Sequence, residues 1–250
     1  MLHLKALPGT ARYDGNLKGI EDAVARDAEA LAQGGADALL MENFGDAPFH
    51  PGVVPPEVIS HMTALAQRVR QRFSQLPLGI NVLRNDGCAA LAIAHAVGAR
   101  FIRVNVLCGA RLTDQGILSG IAHDLLRRRT SIGARDVRIF ADVDVKHSSS
   151  LGVTSIEQDV SDTLLRGLAD AVIVSGPGTG QPVDPDQLQR IRRAAGAAPL
   201  LIGSGVTAGS AAELASSADG LIVGTSIKCD GDACQPVDPG RVRALRSCLS

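Results

Sequence analysis

The fold class that this sequence predicts is α/β, as one (β/α)8 barrel whose eight parallel strands fill residues 1–250 as a single domain, and three observations predict it. The chain has 250 residues, 45% of them hydrophobic, which suits the core of one barrel. Short apolar runs alternate with helical patterns, as repeated βα units and a parallel sheet require. The last third holds three apolar segments that each run into a glycine-rich, hydroxyl-bearing turn: Ala171-Val-Ile-Val-Ser175-Gly-Pro-Gly178-Thr-Gly180, Leu200-Leu-Ile-Gly203-Ser-Gly205-Val-Thr207 and Leu221-Ile-Val-Gly224-Thr-Ser226-Ile-Lys228.

Taken in order, the candidate strands are residues 2–7, 38–44, 78–83, 101–107, 137–145, 171–175, 200–203 and 221–224. Between the first of them, Ile20, Val24, Ala28 and Leu31, then Val58, Met62, Leu65 and Val69, keep the stripe of helices packed on a sheet. Pro55-Pro56, Asp184-Pro185 and Asp238-Pro239 put proline in a first helical turn, and Thr154-Ser-Ile-Glu157 and Ser210-Ala-Ala-Glu213 read as capping boxes. A weak repeat marks where helices hand over to strands: Gly35-Ala-Asp37-Ala, Gly98-Ala-Arg100-Phe, Leu168-Ala-Asp170-Ala and Ser217-Ala-Asp219-Gly. The longest irregular stretch, 43–56, contains Gly45, Pro48, Pro51 and Gly52 and reads as a mobile lid or as a long βα loop.

Composition excludes several classes. A net charge of −1 gives no footprint for nucleic acid, and Arg127-Arg-Arg129 reads as the wet end of a helix. No apolar stretch is long enough to span a bilayer, and Met1-Leu-His-Leu-Lys5 lacks a signal-peptide layout, so a soluble, cytoplasmic protein is expected. The five cysteines form no CxxC pair, which argues against a disulfide framework or a zinc site. With 2% aromatic residues and no tryptophan, recognition is expected to be polar.

Catalytic groups on this fold sit where strands end at the C-terminal face. In Asp142-Val-Asp144-Val-Lys146-His147 the two carboxylates and the lysine share one parity, so they are expected to face the barrel mouth and to hold separated pKa values. A buried, self-neutralising salt network is the plainer account. His3 and Lys5 share a face of the first strand; Glu42, Asn43 and Asp46 close the second; Asn81, Arg84, Asn85 and Asp86 close the third; Arg103 and Asn105 share a face of the fourth. Arg and Asn suit oxygen-rich ligands, whereas Asp86 before Gly87 also suits a helix cap. His147 fits a base, a ligand or a loop histidine equally. Glu42, Asp86, Asp142 and Asp144 are hard oxygen donors that suit magnesium, although no fixed-spacing motif joins them; no cofactor is otherwise expected.

The turns after strands seven and eight, which in a barrel often present backbone N–H groups to one phosphate, carry the sharper expectation. Ser175, Gly176, Gly203, Ser204, Gly205, Gly224, Thr225 and Ser226 are the candidate phosphate ligands. Gly205 and Gly224 lack a Cβ, so their N–H groups are expected to approach an anion closely, and a side chain there to intrude on its space. The plainer reading is that these glycines only let strands turn into helices.

The strings His3-Leu-Lys5-Ala-Leu-Pro-Gly9, Glu42-Asn43-Phe-Gly-Asp46-Ala-Pro-Phe49, Gly79-Ile-Asn81-Val-Leu-Arg84-Asn85-Asp86, Phe101-Ile-Arg103-Val-Asn105, Asp142-Val-Asp144-Val-Lys146-His147, Pro182-Val-Asp184, Gly203-Ser-Gly205-Val-Thr207 and Val223-Gly224-Thr-Ser226-Ile-Lys228 together resemble the BtpA/SgcQ family along nearly the whole chain. The resemblance implies a TIM barrel of the phosphate-binding type. One family member is associated with photosystem I accumulation in cyanobacteria, and others are described as nucleosidases. This chain begins at the His-Leu-Lys string, where family members carry several residues more, so either a short first strand or a start placed too late is expected; Pro177 stands where the family varies.

The leading expectation is an enzyme on a phosphorylated sugar or nucleoside-type substrate. Asp142, Asp144, Lys146 and Glu42 would perform acid–base chemistry on sugar carbons or a glycosidic C–N bond, while Asn43, Asn81, Arg84, Asp86, Arg103 and Asn105 would orient the substrate. Schiff-base catalysis by Lys146 or Lys5 is an alternative, and a non-catalytic assembly or regulatory factor is another. Homo-oligomerisation is expected on base rates.

Overall fold

Each apolar run forms a strand of one sheet in the computed structural model of the chain, which describes residues 1–152 and 154–249. In chain order the strands are β1 (Leu2–His3), β2 (Leu39–Glu42), β3 (Leu78–Asn81), β4 (Phe101–Val104), β5 (Ala110–Thr113), β6 (Gly116–Ser119), β7 (Arg138–Asp144), β8 (Ser148–Ser150), β9 (Ala171–Val174), β10 (Leu200–Ile202) and β11 (Gly220–Leu221). Eight of these, β1-β2-β3-β4-β7-β9-β10-β11, lie side by side in chain order, and every adjacent pair is parallel. The Met1 nitrogen donates to the Val223 carbonyl at 2.8 Å across the β11-to-β1 seam. The fold is a TIM barrel.

The helices are α1 (Leu17–Gln33), α2 (Pro56–Arg72), α3 (Gly87–Val97), α4 (Ala122–Ser131), α5 (Ile156–Ser161), α6 (Pro185–Ala195), α7 (Ala208–Ser217) and α8 (Pro239–Ser247). Ile20, Val24, Ala28 and Leu31 on α1, and Val58, Met62, Leu65 and Val69 on α2, are all buried, as the stripe requires. Pro56, Pro185 and Pro239 open their helices, two of them behind an aspartate cap. The other two caps fall differently from expectation. Ser155, not Thr154, accepts from Gln158 N, and α7 starts three residues early, with Thr207 and Ser210 forming the capping box. The handover repeat has a physical use: Asp170 accepts from Ile139 N at 2.9 Å and Asp219 from Leu200 N at 2.8 Å, each closing the start of the preceding strand.

Strand alternation sorts the interior. Ile80, Ile102, Ile139 and Ala141 are buried in the main apolar core. The opposite parity fills the barrel: Phe101 and Phe140 stack with centroids 4.8 Å apart, and Gly79 leaves them room, since a Cβ there would lie 2.2 Å from the Phe101 ring. One step up these strands come Asn81, Arg103 and Asp142, all buried.

Two features lie outside the sequence expectations. The loops after β4 and β7 form a three-stranded antiparallel sheet, β6-β5-β8, whose runs are too short and polar to stand out as strands. The stretch 43–56 is tied down: Asp46 accepts from Leu7 N at 2.8 Å, Asn43 Oδ1 from Leu83 N at 2.7 Å and Asp86 from Val54 N at 2.9 Å. Of the two readings of this stretch, the pinned loop fits.

The C-terminal segment is anchored by a buried ion pair. Lys228, 1% exposed, reaches Asp27 on α1 at 2.7 Å, and the second Asp27 oxygen accepts from Val237 N at 3.0 Å. Removing one partner leaves a buried charge without compensation. Asp27→Ala is expected to lower unfolding free energy by about 3–5 kcal/mol in urea titrations, and the double variant Asp27→Ala with Lys228→Met is expected to recover a large part of that loss.

Candidate functional site

The barrel mouth is set by a guanidinium. Arg103 on β4 is 3% exposed, and its Nε and Nη2 donate to both oxygens of Asp142 on β7 at 3.0–3.3 Å. Asn105 Nδ2 donates to Asp142 at 2.8 Å; Asn81 Nδ2 donates to the Arg103 carbonyl at 3.0 Å and to Asn105 Oδ1 at 3.2 Å. Asp142 is therefore committed as counter-ion to Arg103, which approaches the plainer reading of this strand as a buried salt network.

Above this layer opens a cavity of about 430 Å³. It is lined by His3, Glu42, Arg103 and Lys146 and by residues 203–208 and 222–226, with Thr179, Gly180 and Arg241. Lys146 is half-buried, and burial, reinforced by Arg103, lowers its ammonium below the usual lysine range. Glu42 is 6% exposed and lies 3.9 Å from both His3 Nε2 and Arg103 Nη1. His3 stacks on Phe44 at 4.3 Å. Burial, with the Met1 amine and Lys228 adding to it, pushes its imidazole down to about 3, so the ring is neutral at ordinary pH. Its Nδ1 lies 3.1 Å from the Ala233 carbonyl; a carbonyl only accepts, so Nδ1 carries the proton and Nε2 its lone pair.

The three charged residues after strand five do not form one column. The β7–β9 register shifts between Asp142 and Asp144, which breaks the alternation. Asp144 instead meets Arg111 of β5 at 3.2 Å and Gln187 of α6 at 2.7 Å, outside the cavity wall. His147 is exposed and contacts Thr179 Oγ1 at 3.2 Å, and Lys5 is exposed beyond the two-residue first strand. Neither lines the cavity.

The expected substrate-orienting residues mostly brace the wall from behind. Of them Arg103 alone lines the cavity. Arg84 donates to the Lys146 carbonyl at 2.6 Å and so positions that lysine. Asn43 joins Asp46 to Leu83 N, Asn81 and Asn105 brace the Arg103–Asp142 pair, and Asp86 caps α3 by accepting from Ala89 N at 2.8 Å. Asp86, Asp142 and Asp144 each have partners of their own, and among the described residues no group of three or more His, Cys, Asp or Glu side chains converges as a metal site.

Gly203, Ser204, Gly205, Gly224, Thr225 and Ser226 all line the cavity; Ser175 and Gly176 do not. Gly176 N donates to Ser204 Oγ at 2.7 Å, and Ser204 Oγ donates to the Gln181 carbonyl at 3.0 Å, locking the two turns together. No acceptor among the described residues takes the backbone N–H of Gly205, Gly224 or Thr225. The reason for the glycines differs from expectation. A Cβ at Gly205, whose φ is +71°, would lie 2.3 Å from Pro182 Cα, and one at Gly224 would lie 3.0 Å from His3 Cε1. Both side-chain directions meet protein rather than anion space, so Gly205→Val would strain the fold itself and cannot isolate ligand binding.

The sequence placed His3 only among the strand-end groups, with no stated role, and did not single out Arg241. The position of His3 at the C-terminal end of the first strand was a readable signal, whereas Arg241 is an ordinary helical arginine until α8 folds back over Ser226, whose carbonyl lies 3.5 Å from Arg241 Nη1.

A family model described as the BtpA family matches residues 1–249. Photosystem I biogenesis protein BtpA of Synechocystis is 46% identical over 245 residues, covering 98% of this chain and 85% of that protein. Among solved structures, orotidine 5'-phosphate decarboxylase from Pyrococcus horikoshii gives a TM-score of 0.60 at 14% identity, covering 92% of this chain and 94% of that one. Phosphoribosyl anthranilate isomerase from Thermus thermophilus gives 0.56 at 10% identity, covering 89% and 92%. At such identities these two speak for the barrel fold, while the sequence match runs the length of the chain: it belongs to the BtpA family.

Proposed function

We propose that the chain is an enzyme that anchors a phosphorylated sugar or nucleoside-type substrate at residues 203–208 and 224–226 and performs acid–base chemistry on it with Glu42 and Lys146. The observation that carries this reading is that one cavity of about 430 Å³ is lined both by open backbone N–H groups beside the N-terminus of α7 and by a carboxylate, a neutral imidazole, a lysine and an arginine. Anions are stabilised at helix N-termini, and anchoring by a remote phosphate lets a proton donor and acceptor act on a held ring. The lowered Lys146 serves as the acid and Glu42 as the base. Asp142 acts through Arg103, and Asp144 stands outside the chemistry. Isomerisation and C–N glycosidic chemistry both need this pair.

Schiff-base catalysis at Lys146 keeps specific support, because its amine is lowered by burial and no acceptor among the described residues holds it; exposed Lys5 lacks such a setting. An assembly role, of the kind that the name of the Synechocystis relative indicates for that protein, does not call for unpaired polar groups lining a cavity.

Three measurements bear on this reading. Arg241→Ala is expected to raise the Kd of inorganic phosphate about tenfold, the scale of one charge-assisted hydrogen bond, with melting temperature little changed because Arg241 is largely exposed. Borohydride treatment in the presence of ribulose 5-phosphate is expected to leave the mass of the protein unchanged; an adduct on Lys146 would transfer the proposal to the Schiff-base mechanism. His3 supplies a pH signature. Its pKa of about 3 lies below the ordinary value of 6.5, so between these pH values the unfolded chain binds a proton that the folded chain refuses. Stability should therefore fall as pH drops from 6.5 toward 3, by up to roughly 1.4 kcal/mol per unit from this group, and His3→Gln should show a shallower acid slope in chemical denaturation.

A further inference from the structure

The polar groups that line the cavity are unequally satisfied, and the imbalance describes a ligand. Glu42 is 6% exposed, yet its nearest cationic or imidazole nitrogens, His3 Nε2 and Arg103 Nη1, both lie at 3.9 Å, beyond hydrogen-bond reach. His3 Nε2 is itself an acceptor, because the Nδ1 proton is directed at the Ala233 carbonyl 3.1 Å away. Two acceptors therefore face each other with no hydrogen between them, an arrangement that costs free energy when water is excluded. The ring cannot easily turn away, since Phe44 stacks on it at 4.3 Å and Gly224 lies against Cε1, where a Cβ would come within 3.0 Å.

A group that offers two donors resolves this pair. An ammonium would also face Arg103 and Lys146, which line the same cavity, and would be repelled. Hydroxyls carry no charge, donate to the two acceptors and can accept from Lys146 in return. We propose that the Glu42 carboxylate and His3 Nε2 together receive two adjacent hydroxyls, so that the substrate is a phosphorylated sugar bearing a free vicinal diol. This rests on the phosphate anchor proposed above and adds what lies at the other end of the ligand. Gly224 joins the two: no acceptor among the described residues takes its N–H, and a Cβ on it would meet the His3 ring at 3.0 Å. Diol and phosphate are thereby held on one small molecule, and the same contact sets Glu42 on the oxygen from which it removes a proton.

Calorimetric titration of the full chain with inorganic phosphate, ribose 5-phosphate and 2-deoxyribose 5-phosphate tests the inference. Ribose 5-phosphate is expected to bind at least about tenfold more tightly than the deoxy sugar, the scale of one lost hydrogen bond to a charged group, and more tightly than phosphate. In Glu42→Gln, checked for an unchanged melting temperature, that ratio is expected to fall toward one while phosphate affinity stays. Equal binding of the two sugar phosphates by the wild-type chain would overturn the diol clamp and leave the anchor standing. A preference that survives intact in Glu42→Gln would overturn the assignment to Glu42. Failure of all three probes to bind would overturn the anchor and the clamp together. The wild-type comparison needs no variant, so it decides even if Glu42→Gln fails to fold.

Discussion

A guanidinium inside a parallel barrel must be answered by charge, and the mouth of this one is built around the answer. Arg103 and Asp142 face each other from β4 and β7, adjacent strands of the sheet, with their polar atoms 3.0–3.3 Å apart. Such a pair holds its place only when its remaining donors and acceptors are also satisfied. Asn105 and Asn81 do that work on the Asp142 side, which leaves Arg103 Nη1 turned toward Glu42. The pair thus consumes one carboxylate to fix the cation and leaves the other carboxylate free. Below it the Phe101–Phe140 stack closes the barrel interior, and above it the cavity begins.

That division of labour explains why residues with the right chemistry for binding do not all line the cavity. Asn43, Arg84 and Asp86 are buried polar groups, and a buried polar group needs a partner. In each case a backbone group is among the partners: Leu83 N for Asn43, the Lys146 carbonyl for Arg84, Ala89 and Val54 N–H for Asp86. These bonds hold the loops after β2, β3 and β7 against one another, so the wall that carries Glu42 and Lys146 is rigid because its neighbours are spent on support. The glycines obey the same logic. Gly205 admits the 181–182 backbone and Gly224 admits His3, and the open N–H groups in the cavity follow from how closely those elements pack.

The fold was legible because it rests on local periodicity. Each of the eight barrel strands was readable from its apolar run, although the runs overshoot by one to four residues where the chain leaves the sheet but stays buried, as at Val82, Leu83, Val106 and Leu107. The β6-β5-β8 sheet was not legible, since Arg111, Thr113 and Ser148–Ser150 carry no apolar alternation and pair only through their place above the mouth. That the loops 203–205 and 224–226 and the residues Glu42 and Lys146 come together on one cavity was readable from their places at strand ends. Asp144 was misplaced because parity counting assumes an unbroken strand, and a register shift after Asp142 breaks it. The tautomer of His3 and the place of Arg241 are set only when the two ends of the chain meet.

That meeting couples stability to the lining of the cavity. The proton of His3 sits on Nδ1 because the Ala233 carbonyl is there to receive it. Ala233 belongs to the excursion between Lys228 and Val237, whose base is a bridge between those two residues, reinforced by Cys229 N donating to Pro236 O at 2.9 Å. Asp27 fastens both ends of the excursion at once, one oxygen on Lys228 Nζ and the other on Val237 N. A buried ion pair is weak evidence of net stabilisation, because apolar residues of similar size often serve as well. Its value here lies in direction: a charged, two-oxygen clamp fixes where the excursion lies, the excursion fixes which nitrogen of His3 is protonated, and the remaining lone pair is thereby turned toward Glu42 and the cavity.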